Sequence, residues 1–152
     1  MKQKDLQLIA CLRNNARETL TVMSRRLQVP ISTLYDRLRH SEGNLIKKHV
    51  ALVNFQEIGF ATRAHVMLNA PKERKDEVRE YLIRHFNTNT ILKVNNGYDF
   101  MVEVVCRSMK EIEDFLEELD ERYGVRNCKV YYIIEDIKQE GFFNDPQLVG
   151  YV

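Results

Sequence analysis

The sequence predicts an α+β fold in two parts: a winged-helix-like, helix-turn-helix domain over residues 1–55 that includes a linking strand, and a ferredoxin-like βαββαβ domain over residues 56–152. Three observations predict it. The first part holds three short stretches of helical periodicity separated by polar turns, whereas from Ala61 onward strand-like and helical patterns alternate. Charge divides along the same line: residues 1–55 carry ten Lys or Arg against four Asp or Glu, and the remainder thirteen against eighteen. A net charge of +1 therefore conceals a basic module, suited to a polyanion, joined to an acidic one.

In chain order, Asp5 suits a helix N-terminus by capping and by charge, and Leu6, Ile9 and Leu12 follow at three-residue steps, which predicts a first helix over about residues 5–14. Thr19 suits the cap of a second helix with Leu20, Met23, Ser24 and Leu27 on one face. Pro30 disfavours helical geometry at Val29, so this helix should end near Gln28. A third periodic segment sets Ile31, Leu34, Leu38 and Ser41 on one face. Its start is open between Pro30 as first helical residue and a capping box of Thr33 with Asp36. After Gly43 the run LIKKHVALVNF reads as a strand or strand pair.

In the second part ATRAHVMLNA reads as a strand ended by Pro71, and the segment Lys72 to Phe86 places Val78, Leu82 and Phe86 at helical spacing. TILKV and YDFMVEVVC read as strands joined in a tight hairpin through Asn96-Gly97, residues that tolerate positive φ. Met109, Ile112, Phe115, Leu116 and Leu119 form a helical stripe, and KVYYIIEDI closes the domain as a β-rich run. This order is the split βαβ arrangement, one antiparallel four-stranded sheet with both helices on one face. The other face needs a cover, and a second copy of the chain is the simplest one, so a dimer is expected.

Composition narrows the classes of function. With 44% hydrophobic and 30% charged residues and no apolar run near the roughly 20 residues of a membrane span, the chain is expected to be soluble, with no membrane partner. Asp5, Gln7 and Arg13 interrupt the apolar residues of the N-terminus, so a signal peptide is not expected and the cytoplasm is. Cys11, Cys106 and Cys128 are an odd number without a CxxC pair, which argues against a disulfide framework and a structural zinc, and fits a reducing compartment.

Two short helices separated by about three residues, the second rich in hydroxyl and basic side chains, describe a helix-turn-helix. Advancing about 100° per residue, Leu34 and Leu38 face the core, while Ser32, Thr33, Asp36, Arg39 and His40 face outward as candidates for base edges of double-stranded DNA. Arg39 leads them, because a guanidinium makes two parallel bonds to guanine. Asp36 is repelled by phosphates unless it accepts from cytosine or orients an arginine, and it is read as an orienting residue. Tyr35 and Arg37 fall on the flanks, where they either reach phosphates or brace the helix. Arg25, Arg26, Lys47 and Lys48 supply the sequence-independent phosphate grip. The plain alternative is a solvated basic surface on a three-helix domain.

The motifs DLQLIACLRNNAR, MSRRLQVPISTLYDRLRHSEG, LIKKHVALVNFQEIGF, NNGYDFMVEV and GVRNCKVYYIIEDIKQ, in this order and spacing, resemble the leucine-responsive regulatory protein and AsnC (Lrp/AsnC) family of feast/famine transcription regulators, essentially end to end. The resemblance implies a sequence-specific DNA-binding regulator whose ferredoxin-like domain dimerises through its sheet and often assembles further, here to a tetramer or octamer. It also implies small effectors, typically amino acids, bound near a hairpin motif that falls on Gly97, Tyr98 and Asp99, with Asp99 suited to an ammonium and Gly97 to close backbone approach. A hairpin with a hydrogen-bonded aspartate is the plain alternative. No cofactor and no metal are expected. The chain departs from the family at Gln28, where glycine is usual, Pro30 (serine), Ser41 (an apolar residue), and Cys128 and Val130 (often threonine).

Two other classes stay in view. The siroheme decarboxylases resemble the same two-part fold, but their chemistry needs cationic and histidine groups converging on a tetrapyrrole. Here His40, His49, His65 and His85 are scattered and form no HxxxH or HExxH pair, no catalytic motif appears, and an enzyme is not expected. The third class is a ligand sensor without DNA binding of its own, acting through assembly with a relative.

Overall fold

The computed structural model describes residues 3–151 and divides into two units, 1–52 with 137–152, and 53–136. In the first unit three helices form, α1 (Gln3–Asn14), α2 (Leu20–Leu27) and α3 (Ile31–Ser41). Thr19 caps α2 in the expected way, its side chain accepting from the Val22 N–H at 3.4 Å. Of the two starts open for α3, neither is taken in full. Pro30 occupies the cap position just outside the helix, its carbonyl accepting from Leu34 N–H at 3.0 Å, and Thr33 and Asp36 lie too far inside to form a capping box.

Leu8, Cys11, Met23, Leu27, Val29 and Leu34 close the core of this unit, with Leu12, Leu20 and Leu38 at its edge. The buried stripe of α1 is thus centred on Leu8 and Cys11, and the expected Leu6 and Ile9 are only half-buried. Ile31, expected in the core, stands 46% exposed. It occupies the first position of α3, ahead of the turn that packs through Leu34.

The departures from the family pattern have local compensations. Gln28 ends α2 in the left-handed region at φ 52°, where glycine is the easy residue, and its side-chain amide donates to Arg25 O at 2.7 Å. Ser41 is buried at an apolar position, and its hydroxyl donates to Arg37 O at 2.8 Å, so no polar atom is orphaned.

The expected linking strand is not formed. Beyond a single parallel bridge between Glu42 and Ile46, residues 47–54 join no ladder among the described residues, and Val50, Leu52 and Val53 stand exposed. A strand must pair its N–H and C=O groups with a neighbour, and apolar β-formers alone do not supply one.

The domain boundary also differs at the far end. Residues 56–152 were expected as one unit, but the segment from Ile137 belongs with the helices of the first. A short 3₁₀ turn, Leu148–Tyr151, packs on α1, with Val149 buried. Arg13 of α1 fixes the same segment, donating to Phe142 O at 3.0 Å and to Glu140 O at 3.2 Å, and pairing with the Glu140 carboxylate at 2.7 Å.

The second unit contains β1 (Thr62–Leu68), α4 (Lys75–Arg84), β2 (Thr88–Lys93), β3 (Phe100–Cys106), α5 (Met109–Tyr123) and β4 (Cys128–Tyr132). All pairings are antiparallel and the strand order is β2-β3-β1-β4, the ferredoxin-like arrangement that the element order predicts. Alternation decides the faces: Ala64, Val66 and Leu68 of β1 and Phe100, Val102 and Val104 of β3 bury against Val78 and Leu82 of α4 and Ile112, Phe115 and Leu119 of α5. Ser108 caps α5, accepting from Glu111 N–H, and Gly124 ends it at φ 69°.

Two elements are shorter than their patterns suggest. Phe86 lies outside α4 and is 82% exposed, its ring 6.1 Å from that of Phe60. The closing strand stops at Tyr132, with one further backbone bond from Ile133 N–H to Arg63 O at 2.9 Å, and Ile134 and Ile137 stand exposed.

Candidate nucleic-acid interface and effector hairpin

On α3, Ser32, Tyr35, Asp36, Arg39 and His40 are exposed together and line one side of the helix, as a base-reading face requires. Two of the expected positions shift. Thr33 is half-buried rather than outward, and Tyr35, expected on a flank, is 55% exposed in line with Ile31 one turn before it and Arg39 one turn after. Arg37 is the brace of the two roles open to it: its guanidinium donates to Asp5 of α1, tying the two helices.

Among the grip residues, Arg25 on α2 and Lys47 and Lys48 beyond α3 are exposed. Arg26 is engaged inside the unit. It pairs with Glu18, and its second nitrogen lies 3.9 Å from the Cys11 sulfur. Burial pushes the Cys11 thiol above its usual range, although the Arg26 charge works against that, so this cysteine is a packed apolar group and not a nucleophile. Cys106 is pushed up to about 11 by burial and by Glu111, and Cys128 also rises, chiefly by burial. All three are free thiols.

The second candidate site is the β2–β3 hairpin. Val94 N–H donates to Asp99 O at 3.1 Å, closing a loop wider than the two-residue turn expected, with Asn96 at φ 62° and Gly97 at φ 91° in its centre. Gly97 is needed here for its φ, since a side chain at this point would meet open space. Tyr98 is half-buried, with the Lys129 ammonium 5.9 Å from its ring centre. Both carboxylate oxygens of Asp99 are occupied: one accepts from Ala70 N–H at 3.1 Å, the other from the Lys75 ammonium at 2.5 Å. Asn69 adds a bond from its side chain to Gly97 O at 2.6 Å. The sequence gives no sign of Asn69 or Lys75 as partners, because neither is near the hairpin in chain order.

Between α4 and α5 lies a cleft of about 620 Å³, whose lining includes Tyr81, His85, Phe86, Glu118 and Tyr123. The Tyr81 hydroxyl donates to Glu118 at 2.7 Å, and the His85 ring packs on Tyr81 and Phe115 with centroids 5.2 and 4.8 Å away. Burial lowers the affinity of His85 for its proton, outweighing the Glu118 carboxylate 4.0 Å away, which acts in the other direction. A histidine depressed in this way is neutral in the fold and gains its proton more readily in the unfolded chain. Its contribution is fully present above the unfolded value near 6.5 and shrinks as pH falls through the lower folded value. The melting temperature of residues 53–136 should therefore drop on going from pH 7 to pH 5, and less steeply in His85→Phe; equal slopes in thermal melts would contradict this.

Among the described residues no three His, Cys, Asp or Glu side chains converge on a metal-sized site, and no helix is long and apolar enough to cross a membrane.

Known proteins share this architecture. The chain is 21% identical to the HTH-type transcriptional regulator FL11 of Pyrococcus horikoshii over 136 residues, 89% of this chain and 90% of that protein. It is 26% identical to an uncharacterized HTH-type transcriptional regulator of Pyrococcus abyssi over 140 residues, 91% and 88% of the two. The solved structure of Bacillus subtilis LrpC matches with a TM-score of 0.82 at 17% identity, covering 91% of this chain and 97% of that one. A transcriptional regulator of Neisseria meningitidis solved as a complex with L-Met matches with a TM-score of 0.84 at 14% identity, covering 91% and 93%. These two likenesses establish the fold. Residues 63–142 match the Lrp/AsnC ligand binding domain, more than half of the sequence, and the chain therefore belongs to the Lrp/AsnC family of transcription regulators.

Proposed function

We propose that this chain is a cytoplasmic, sequence-specific DNA-binding regulator of transcription, without enzymatic activity, that works as a dimer or a larger assembly and responds to an amino acid or a related small effector. The observation that carries the reading is the exposed face of α3, where Ser32, Tyr35, Asp36, Arg39 and His40 are presented to solvent on a unit rich in cations. Arg39 serves as the base reader and Arg25, Lys47 and Lys48 as phosphate contacts. Arg26 and Arg37 belong to this reading in a lesser role, since each already holds a carboxylate within the unit.

Pairing is supported by the sheet face turned away from α4 and α5. Cross-strand register places Met67 beside Met101, and Leu92 and Tyr131 are exposed on the same face. Two of the charged groups there, Arg63 and Glu103, already satisfy each other within one protomer. Glu103 accepts from Asn89 at 2.6 Å, Arg63 at 2.8 Å and Thr90 at 3.1 Å, and although its burial favours the protonated form, these bonds hold its carboxyl below the usual range. A second copy can therefore cover Arg63 and Glu103 without orphaning either charge. Two helix-turn-helix units held by such a dimer would meet successive major grooves about 34 Å apart, on a roughly palindromic site. Effector binding is supported at the hairpin of Gly97, Tyr98 and Asp99. There the ammonium of an amino acid would compete with Lys75 for Asp99, and the L-Met complex of the Neisseria protein is a precedent for the ligand class.

The test is a gel shift at near-physiological salt with promoter fragments, repeated with Arg39→Ala. Specific retention is expected for the unaltered chain. Arg39→Ala should cost about 1–3 kcal/mol and relax the preference at one base pair per half-site. No retention with any fragment would favour a sensor that acts only through a DNA-binding relative.

A further inference from the structure

The base-reading face of α3 has an apolar edge that its sequence pattern assigns to the core. Ile31 is 46% exposed and Tyr35 55% exposed, one turn apart on the same side of the helix, and Arg39 follows after another turn. Ile31, about half exposed at the first helical position, is not part of the core, which closes through Leu34 and the half-buried Leu38. Its place is the end of the recognition helix that meets base edges in a helix-turn-helix. The major groove offers one apolar feature for such a side chain, the 5-methyl group of thymine.

From these exposures we propose that Ile31, with the Tyr35 ring beside it, is a specificity-determining contact for a thymine methyl, so that each half-site carries a thymine at a base pair separate from the one read by Arg39, which lies about two helical turns further along α3. The proposal rests on the DNA-binding reading above and adds to it the chemical identity of one base. Charge supports DNA as the occupant of this edge over an apolar protein surface. The edge lies on the same helix as Arg39 and His40, in a part of the chain with ten Lys or Arg against four Asp or Glu, and Arg25, Lys47 and Lys48 of that part are exposed. Ser32 is exposed beside Ile31 on the same face, where a hydroxyl can bond to a base edge.

The experiment alters the DNA first, so that protein folding does not enter. A site is selected from random duplexes with the full chain, and each of its thymines is replaced in turn by deoxyuridine, which removes the methyl and keeps the hydrogen-bonding edge. One position per half-site should weaken binding about fourfold, the effect of roughly one buried methyl-sized group. Ile31→Ala, a change at an exposed site, should bind the thymine and uracil duplexes equally while still retaining DNA. If uracil is tolerated at every position, or if Ile31→Ala keeps the full preference for thymine, the contact is not made and the proposal falls, with DNA binding itself untouched. If selection enriches no sequence at all, the DNA-binding reading falls with it, and the two failures are thus told apart.

Discussion

Leu34→Ala should unfold the helical unit while leaving the sheet unit standing. Leu34 is completely buried and is the central α3 contribution to a cluster of six buried apolar residues among the described ones. Truncating such a leucine removes its transfer free energy and leaves a cavity, about 2–5 kcal/mol together. A unit of this size has little stability in reserve, because small domains bury a small fraction of their surface and whole domains are stable by only about 5–15 kcal/mol. Hydrogen exchange would separate the two units: amides of α1, α2 and α3 should lose protection while those of β1 and β3 keep it. DNA binding should be lost in parallel, even though Leu34 points away from any DNA. Unchanged protection in α3 would show that the core is larger than these six residues.

Deleting residues 138–152 should loosen the same unit from its other side. Val149 is buried against a unit whose α1 carries the contacts to this segment, and burying a valine is worth about 1.5–3 kcal/mol at most. The Arg13 interactions with Glu140 and Phe142 add less, since Arg13 and Glu140 are both well exposed and such pairs contribute about 0–1 kcal/mol. The expected result is a loss of about 2 kcal/mol of stability in the helical unit, read as faster exchange in α1, with little change in the sheet. Arg13→Ala alone should reproduce only a minor part of it. An α1 as well protected without the segment as with it would mean that the contact adds nothing.

How much of this was legible in the sequence follows from the range over which each signal acts. The β-α-β-β-α-β order was readable because each element has its own local period, two for Thr62–Leu68 and near 3.6 for Met109–Tyr123, and both are properties of a few adjacent residues. The cap at Thr19 and the cores of α2 and α5 were legible for the same reason, except that Met109, the first residue of the expected α5 stripe, stands 59% exposed. Phase at helix ends was not. Ile31 fits the stripe of Leu34 and Leu38 by spacing, yet whether the first turn of α3 is covered depends on what lies opposite, which periodicity does not encode. The run after Gly43 has strand composition, but a ladder is a property of two segments, and composition describes one.

Contacts between distant residues were the least legible. Arg13 meets Glu140 and Phe142 more than 120 positions later, and Lys75 meets Asp99 from the start of another helix. The consequence for the candidate hairpin is concrete. Asp99 was read either as an acid for an ammonium or as a hydrogen-bonded hairpin aspartate, and in the fold it is bonded within the chain, by Ala70 N–H and by the Lys75 ammonium. On the α3 face four of the five residues expected outward, Ser32, Asp36, Arg39 and His40, are exposed, Thr33 is half-buried, and Arg37 proved to be a strut because Asp5 lies within its reach.

The return of residues 137–151 to α1 also bears on the timetable of synthesis. A ribosome makes the three helices before the sheet, and only after the sheet the segment whose Val149 is buried and whose last turn packs on α1. The helical unit, begun before the sheet, is therefore completed after it. During translation the nascent helices wait, incompletely covered, while the sheet that follows them can already assemble.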